Sequence, residues 1–318
     1  MSVLNAVRGR IGRGTVWVLL GVFMLFSLFP VYWALRTSLT TNQSLLTDSG
    51  SFLPPDPTLF NYERVLGDPP LEEVQAAGGS GGEFSIFTAV RNSVIVATLI
   101  TAGQVFFCAL AAYAFARLKF RGRELLFAIY LSALMVPPIF ALIPNFLFIR
   151  DLELDLGIFA LDLGWLPGAG TSGWINTYMG LVAPFFLMTP FAVFFLRQFF
   201  IGISKEVEEA AVLDGAGHIR RFFQIILPMA AAPLATLAII TYVNAWNEFL
   251  WPFVAGKDES VRVITVALND FRAQTPGVVN PDWTGLMTAT FIAALPIMLL
   301  FVILGRRVVD AIQFSGIK

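Results

Sequence analysis

The chain has 318 residues, of which 57% are hydrophobic and 14% are charged, and its formal net charge is −1. Soluble domains usually carry about a quarter charged residues, so this composition excludes an ordinary soluble protein and indicates an integral membrane protein. A near-neutral chain without a basic patch is not expected to bind nucleic acid, and one cysteine with one histidine cannot build a Cys/His metal site.

Six windows with few or no charged side chains are each long enough to cross a membrane. They cover residues 15–35, 92–116, 125–149, 175–196, 222–247 and 283–305. Each exceeds the roughly 20 residues that a helix needs to cross a hydrocarbon core about 30 Å thick. Segments of alternating polarity, which would indicate a membrane barrel, are absent from the sequence. We therefore predict an all-α integral membrane protein with six transmembrane helices.

Proline occurs in nearly every predicted span. The residues are Pro30, Pro137, Pro138, Pro144, Pro184, Pro190, Pro228, Pro233 and Pro296. Proline removes a backbone hydrogen bond and bends a helix, and neighbouring helices in a membrane can satisfy the freed carbonyl groups. Simple packing geometry can explain any one of these prolines, but their number favours a transporter whose bent helices surround a pathway.

The basic residues predict the orientation of the chain. The first window follows Arg8, Arg10 and Arg13, is longer than the core of a signal peptide and has no cleavage site. We therefore predict that residues 1–40 form a cytoplasmic N-terminus and an uncleaved transmembrane helix. This orientation places most of the 21 lysines and arginines, and both termini, in the cytoplasm.

The remaining divisions of the chain follow from this orientation. Residues 41–88 contain PPDPT, GDPP and GGSGGE, which are typical of turns and flexible linkers, and are predicted to form an extracytoplasmic loop. Residues 89–310 are predicted to form a five-helix core, and residues 311–318 a cytoplasmic tail.

A charged segment, EEAAVLDGAGHIRRFFQIILP at residues 208–228, stands between two apolar windows. Helical periodicity predicts a short helix over Lys205–Leu213 that begins after Ser204 as N-cap, and a turn at Gly215 with a positive φ. One face of this predicted helix holds Val207, Ala210, Ala211 and Asp214, and the remainder holds Lys205, Glu206, Glu208 and Glu209. A second short helix before Pro228 is predicted to place Ile219, Phe222, Phe223 and Ile226 on one face. Such a pair of amphipathic helices either rests on the bilayer surface or docks a partner.

The same segment resembles the EAA loop of permease subunits in binding-protein-dependent ABC importers. The residues that match the motif at its spacing are Glu209, Ala210, Ala211, Asp214, Gly215, Phe222, Leu227 and Pro228. In that family the loop forms a coupling helix that docks into a groove of the ATPase subunit. The resemblance implies that Ala210 and Ala211 pack in the groove, that Glu209 makes a polar contact and that Gly215 makes the turn within the loop at 203–228.

The resemblance extends from about residue 85 to the C-terminus. Residues 91–126 look like the first core helix of the family and its basic turn, and NAWNEFLWPF at 244–253 is similar to carbohydrate permeases. The tail VVDAIQFSGIK resembles the second (G-type) permease of maltose transporters, which implies a MetI-like core and contacts of Ser315, Gly316 and Lys318 with the ATPase dimer.

The function that the resemblance implies is sugar import by alternating access, in the inner membrane of a bacterium or archaeon. The implied partners are a homologous permease, two ATPase subunits and an external solute-binding protein. Because the chain has no G-x-x-x-x-G-K-[ST] motif, it is not expected to bind a cofactor or to be an enzyme, and ATP and Mg²⁺ would be bound by the partner subunits.

Polar residues in the fifth window are candidates for the substrate path. They are Asn244, Trp246, Asn247 and Glu248, and ionisable groups at membrane depth usually face a bundle interior or a cavity. An interhelical hydrogen bond with interfacial tryptophans is the alternative interpretation. Other cargoes within the same family, a polyol or glycerol-3-phosphate, remain open. A secondary transporter with Glu248 as its ion site is a further alternative.

Overall fold

The computed structural model describes residues 2–67, 72, 85–150, 173–270 and 282–314, and all regular elements in these ranges are helical. The α-helices before the charged loop are α1 (Ser2–Ser38), α2 (Asn42–Thr47), α3 (Phe60–Leu66), α4 (Ile86–Arg117), α5 (Arg123–Ser132), α6 (Leu142–Arg150), α7 (Tyr178–Phe186) and α8 (Pro190–Gly202). Two 3₁₀ turns, Ala133–Met135 and Pro138–Ala141, join α5 to α6. The all-α fold is as predicted.

The charged loop and the helices that follow it complete the described chain. They are α9 (Lys205–Leu213), α10 (His218–Arg221), a π-helix (Phe222–Ile226), α11 (Leu227–Met229), α12 (Ala231–Asn247), α13 (Leu250–Ala255), α14 (Ile264–Asp270) and α15 (Trp283–Phe314). The predicted tail residues Ser315, Gly316 and Lys318 lie outside the described residues.

Three helices are long and apolar enough to cross a membrane alone, at Thr15–Ser38, Ile86–Arg117 and Trp283–Ile303. Three further helix pairs would each serve as one bent span: α5 with α6 at 92°, α7 with α8 at 46°, and the segment His218–Met229 with α12 at 78°. The described residues therefore hold three to six spans by length and composition, and the number six stays a prediction.

The breaks in the bent pairs lie at prolines. Pro138 follows the first break, Pro190 begins α8 after the second, and Pro228 lies two residues before the third. The proline ring removes a donor and clashes with the preceding turn. Pro30 and Pro296, however, lie inside the continuous helices α1 and α15, so proline alone does not decide where a span breaks.

The chain forms two compact units, one within Met1–Ile86 and Leu268–Leu295 and the other within Phe87–Ala267 and Pro296–Lys318. In the first unit, α3 is fixed by a two-pronged ion pair. Arg64 Nη1 lies 2.5 Å from Asp282 Oδ2 and Nη2 lies 2.8 Å from Oδ1, and both side chains are almost fully buried. None of the most apolar window of α1 is buried within the chain.

The second unit has two apolar clusters. One packs the C-terminal half of α4 against α8 and the π-helix, through residues that include Ala112, Leu196 and Phe222. The other packs the N-terminal half of α4 against α7 and α13. Gly103 allows the close approach at the middle of α4, because a Cβ there would lie 2.4 Å from Phe186.

The N-terminal end of α4 is fixed by a neutral amide. Asn92 is fully buried, and its Nδ2 donates to the carbonyls of Ser260, at 3.0 Å, and Arg262, at 3.1 Å. Its Oδ1 accepts from the Tyr178 hydroxyl at 2.5 Å. The amide nitrogen of Asn92 thus donates only to carbonyl oxygens, and its amide oxygen accepts from a hydroxyl.

Candidate functional site

The charged loop folds locally as the sequence predicts. The helix α9 spans Lys205–Leu213, and the Ser204 hydroxyl accepts from the backbone N–H of Glu206 at 3.2 Å. Gly215 has φ +79°, the left-handed conformation that favours glycine. The N–H of Ala216 then donates to the carbonyl of Ala211 at 2.9 Å, which closes the end of the helix.

The exposure of α9 corrects its predicted faces. Glu208, predicted on the polar face, is buried, and Ala211 is buried beside it, whereas Ala210 and Glu209 are exposed. Leu213 is 89% exposed. Only Ala210 of the alanine pair therefore has a free side chain for a partner, and Ala211 packs within its own chain.

Glu208 is buried because it forms an ion pair with Arg117 at the end of α4. Arg117 Nε lies 2.9 Å from Glu208 Oε1, without the linear geometry of a hydrogen bond, and the two side chains are 5% and 10% exposed. Arg117 Nη2 donates to the carbonyls of Phe200 and Ile203, each at 2.5 Å. In the sequence, Arg117 counts only among the basic residues that predict orientation, and Glu208 is one of five charged side chains in residues 208–228, so no signal pointed to this pair.

The second half of the loop departs from the predicted helix. Phe222 and Ile226 are buried, but Ile219 is 76% exposed and Phe223 is 48% exposed, so the prediction that these four share one face is wrong. Residues 222–226 form a π-helix, whose i→i+5 bonding changes the period that assigns side chains to faces. Phe222 packs its ring 5.2 Å from that of Tyr113.

The motif residues of this second half have unequal exposure. Phe222 is in the core, Leu227 is half-buried, and Asp214 and Pro228 are exposed. Phe222 therefore supports the loop from inside the chain, and the surface available to a partner includes α9, the turn and the exposed side chains of Ile219 and Phe223.

A cavity of 390 Å³ lies among α4, α7, α8, α12 and α13 in the second unit. Its lining is Val96, Ile100, Gln104, Leu181, Phe185, Thr189, Phe191, Ala192, Leu237, Ile240, Thr241, Asn244, Ala245, Glu248, Trp251 and Pro252. The size lies within the range of small-molecule sites, and an apolar wall with a few polar groups is typical of them.

The predicted path residues divide around this cavity. Asn244 and Glu248 line it, whereas Trp246 and Asn247 do not. Trp246 is buried and stacks on Tyr242, with ring centroids 6.0 Å apart, and Asn247 Nδ2 donates to the Val243 carbonyl at 2.8 Å.

Glu248 is held at the break between α12 and α13. Its Oε1 accepts from the N–H of Trp251 at 3.3 Å, and its carbonyl accepts from the Thr265 hydroxyl at 2.7 Å. The Trp251 indole N–H donates to the Gly180 carbonyl at 3.1 Å. The carboxylate thus accepts from the first turn of α13 and belongs to a residue that lines the cavity.

Gln104 is a polar lining residue that the sequence analysis missed. It is buried, its Nε2 donates to the Phe185 carbonyl at 2.8 Å, and its Oε1 accepts from the Thr189 hydroxyl at 3.4 Å. An uncharged amide at the centre of an apolar window was the available signal. These two hydrogen bonds join α4 to the end of α7 and to the break between α7 and α8.

Bent apolar helices around a cavity, joined by a charged loop with one exposed face, define a membrane protein of the transport class. The chain belongs to the family described as binding-protein-dependent transport system inner membrane component, whose model matches residues 104–314. The predicted resemblance to this family of permeases is confirmed, and the chain is the membrane component of such a transport system.

Individual relatives and one solved structure agree with this assignment. The probable ABC transporter permease protein YurM of Bacillus subtilis is 29% identical over 97% of this chain and 89% of its own. The trehalose/maltose transport system permease protein MalG of Thermococcus litoralis is 28% identical over 92% of each chain. A chain from a crystal structure of a bacterial ABC transporter that imports the acidic polysaccharide alginate superposes with TM-score 0.71 at 22% identity, covering 93% of this chain and 96% of that one, which shows a shared fold.

Proposed function

We propose that this chain is one of two permeases of an ATP-driven importer for a neutral carbohydrate. It pairs with a homologous permease, is driven by two ATPase subunits that bind ATP and Mg²⁺, and receives its cargo from an external solute-binding protein. Both termini lie in the cytoplasm. The observation that carries the proposal is membership of the transport family together with the sugar-compatible cavity in the second unit.

The chemistry of the cavity supports a neutral, hydroxyl-rich cargo. Its lining combines the aromatic side chains of Phe185 and Trp251 with the amide of Asn244 and the carboxylate of Glu248. Aromatic faces suit the apolar faces of sugar rings, while amide and carboxylate groups accept or donate hydrogen bonds to hydroxyls. The described lining contains a carboxylate and no basic side chain, which disfavours an anionic cargo such as glycerol-3-phosphate.

The names of relatives support a sugar as well. They include the MalG relative above and a diacetylchitobiose uptake permease of Streptomyces coelicolor, 28% identical over 93% of this chain. An sn-glycerol-3-phosphate permease of Brucella abortus is 27% identical over 92%, so the cargo must be decided by experiment.

The exposed face of α9 supports ATPase docking. Glu209, Ala210 and Leu213 project from a short helix that is anchored on its other side by Glu208. A small residue beside an exposed apolar one suits close approach by a groove, and Gly215 sets the direction in which the helix projects.

The proposal is tested first by purification. The tagged chain is isolated in mild detergent and its companions are identified by mass spectrometry, beside the variants Gly215→Trp and Gly50→Trp. Both glycines have open space around them, but only Gly215 has a positive φ and lies in the loop. A P-loop ATPase and a second permease are expected with the wild type and with Gly50→Trp, and the ATPase is expected to be lost with Gly215→Trp. Recovery of this chain alone, with ion-driven uptake by it in liposomes, would contradict the proposal and favour an ion-coupled transporter.

The cargo is tested with the purified complex in liposomes and its solute-binding protein. Uptake of radiolabelled maltose, trehalose, diacetylchitobiose and sn-glycerol-3-phosphate is compared for wild type, Glu248→Gln and the exposed control Glu259→Gln. Glutamine can keep the helix cap at Trp251 while it removes the charge, so a raised KM for a sugar in Glu248→Gln alone is expected. Uptake restricted to glycerol-3-phosphate would overturn the neutral cargo.

A further inference from the structure

Arg117 joins three elements of the second unit through one guanidinium group. It ends α4, it donates to the carbonyls of Phe200 and Ile203 at the end of α8, and it pairs with Glu208 in α9. The group lies at the C-terminal ends of two helices, where the macrodipoles favour a positive charge. Its position is therefore fixed by the carbonyls of Phe200 and Ile203 together with the carboxylate of Glu208.

The pair with Glu208 is protected from solvent. The side chains of Arg117 and Glu208 are 5% and 10% exposed. An exposed ion pair contributes little because water and salt screen it, but a buried charge that loses its partner is strongly destabilised. Separation of α9 from α4 is therefore opposed by the pair itself.

Glu208 also reaches the second half of the loop. Its Oε2 lies 3.9 Å from Arg221 Nη1, and Arg221 Nη2 lies 2.6 Å from His218 Nδ1. One carboxylate therefore lies between Arg117 at the end of α4 and Arg221 in the second half of the loop. The loop helix, the segment that follows it and the end of α4 share a single charged centre.

The centre faces away from the surface that a partner would use. Ala210 and Leu213 are exposed on α9, whereas Glu208 is on its buried side. From Arg117, α4 continues to Gln104 in the wall of the cavity, about 20 Å away at the rise of an α-helix. A displacement of α9 therefore has a continuous route of buried contacts to the cavity wall.

We propose that Arg117 and Glu208 are positioning residues that make α9 and α4 move as one body, so that a displacement of the loop shifts the cavity wall. The proposal rests on the proposed function, since it assumes that α9 is the element a partner moves. Lysine cannot replace Arg117, because its single ammonium lacks the planar fork that reaches a carboxylate and two carbonyls together.

The test measures the distance between α9 and α4 directly. Spin labels are placed at Leu213→Cys, which is 89% exposed, and at Phe106→Cys, which is 45% exposed, in a Cys108→Ala background. Glu208→Gln keeps the size of the side chain and removes its charge, and Arg117→Lys keeps the charge and removes the fork. The matched controls are Glu206→Gln and Arg121→Lys, whose side chains are exposed on the same helix and on the turn after α4.

One narrow distance distribution, unchanged by ATP with vanadate, is expected for the wild-type complex and for both controls. Glu208→Gln and Arg117→Lys are expected to broaden or shift it, and to lower transport per ATP hydrolysed at least about tenfold while ATP turnover persists. An unchanged distribution in both variants would overturn the proposal, as would a wild-type distance that changes with ATP.

Failure of the proposed function gives a different result. If no ATPase accompanies the wild-type chain, that function fails. The label distances in the purified chain alone still decide whether Arg117 and Glu208 hold α9 to α4. If the ATPase is present and the distances respond to neither variant, only the positioning role fails.

Discussion

The two ends of α4 are held by different chemistry. At the N-terminal end, the neutral amide of Asn92 pairs with two carbonyls and a hydroxyl, and its oxygen also accepts from the adjacent Arg91. At the C-terminal end, the charge of Arg117 is shared between two carbonyls and the carboxylate of Glu208 in α9. A neutral, satisfied network fixes a position, whereas a buried ion pair makes that position depend on where its partner lies. The N-terminal end of α4 is thus anchored by Asn92, and the C-terminal end is tied by an ion pair to Glu208 in α9.

The largest expected loss of stability comes from removing the charge of Arg117 at the C-terminal end of α4. Arg117→Ala leaves the buried Glu208 with only the longer contact to Arg221, at 3.9 Å, and should lower the free energy of unfolding by about 3–5 kcal/mol. Unfolding by SDS in mixed micelles measures this, with the exposed Arg121→Ala as control, which should change stability by less than about 0.5 kcal/mol. If Arg117→Ala and Arg121→Ala lower the free energy of unfolding equally, the buried ion pair does not hold the C-terminal end of α4.

The anchored end should be the less sensitive of the two. Asn92→Ala leaves the carbonyls of Ser260 and Arg262 and the hydroxyl of Tyr178 without this partner, a loss of about 1–3 kcal/mol. The same titration applies, and the variant should leave the distance between labels at Leu213 and Phe106 unchanged. A larger loss than that of Arg117→Ala would invert the comparison.

Substitutions at the turn after α9 test whether that turn sets the position of α9 at the C-terminal end of α4. Gly215→Ala forces a β-carbon into φ +79° and should cost about 1–2 kcal/mol, whereas Gly217→Ala, at φ −70° and the N-cap of α10, should cost less than about 1 kcal/mol. Hydrogen exchange of the α9 amides should accelerate in the first variant only. If exchange is the same in both, the turn does not set the position of α9.

The smallest effect on stability is expected from acidic pH at Asp258, in the loop whose Ser260 and Arg262 carbonyls accept from Asn92. The hydroxyl and N–H of Ser260 donate to Asp258 at 2.6 and 3.0 Å and lower the pKa of that carboxyl. A lowered folded pKa contributes stability above the unfolded value, near 3.9, and loses it as the pH falls through the folded value. The stability difference between wild type and Asp258→Asn should therefore be constant near neutral pH and shrink only below about pH 4. A difference that changes between pH 6 and 8 would contradict this cause.

The sequence predicted local structure correctly where a few adjacent residues determine that structure. The helix Lys205–Leu213, its cap at Ser204 and the positive φ of Gly215 are confirmed because each depends on a few adjacent residues. The burial of Glu208 was missed because its partner is 91 residues away, at the end of another helix. Ile219 and Phe223 were misassigned because the π-helix changed the period on which the assignment rested.

The sequence predicted only some of the residues that line the candidate cavity. Asn244 and Glu248 were found because polar groups stand out in an apolar span, and both line the cavity. Trp246 and Asn247 are adjacent in sequence but point elsewhere, since neighbours on a helix differ by about 100° in direction. The choice among cargoes depends on the shape of a wall built by five helices, which composition does not encode.

The isolation of α1 has a consequence for how its sequence can evolve. Among the described residues nothing in its most apolar window is buried, so the described part of the fold constrains the hydrophobicity of those side chains and not their shapes. Exchanges among Leu, Ile, Val, Met and Phe there are neutral for intramolecular packing. Any position in that window that resists such exchange during evolution therefore identifies a contact with another molecule, and the pattern of tolerated substitutions would map that contact without a structure of the assembly.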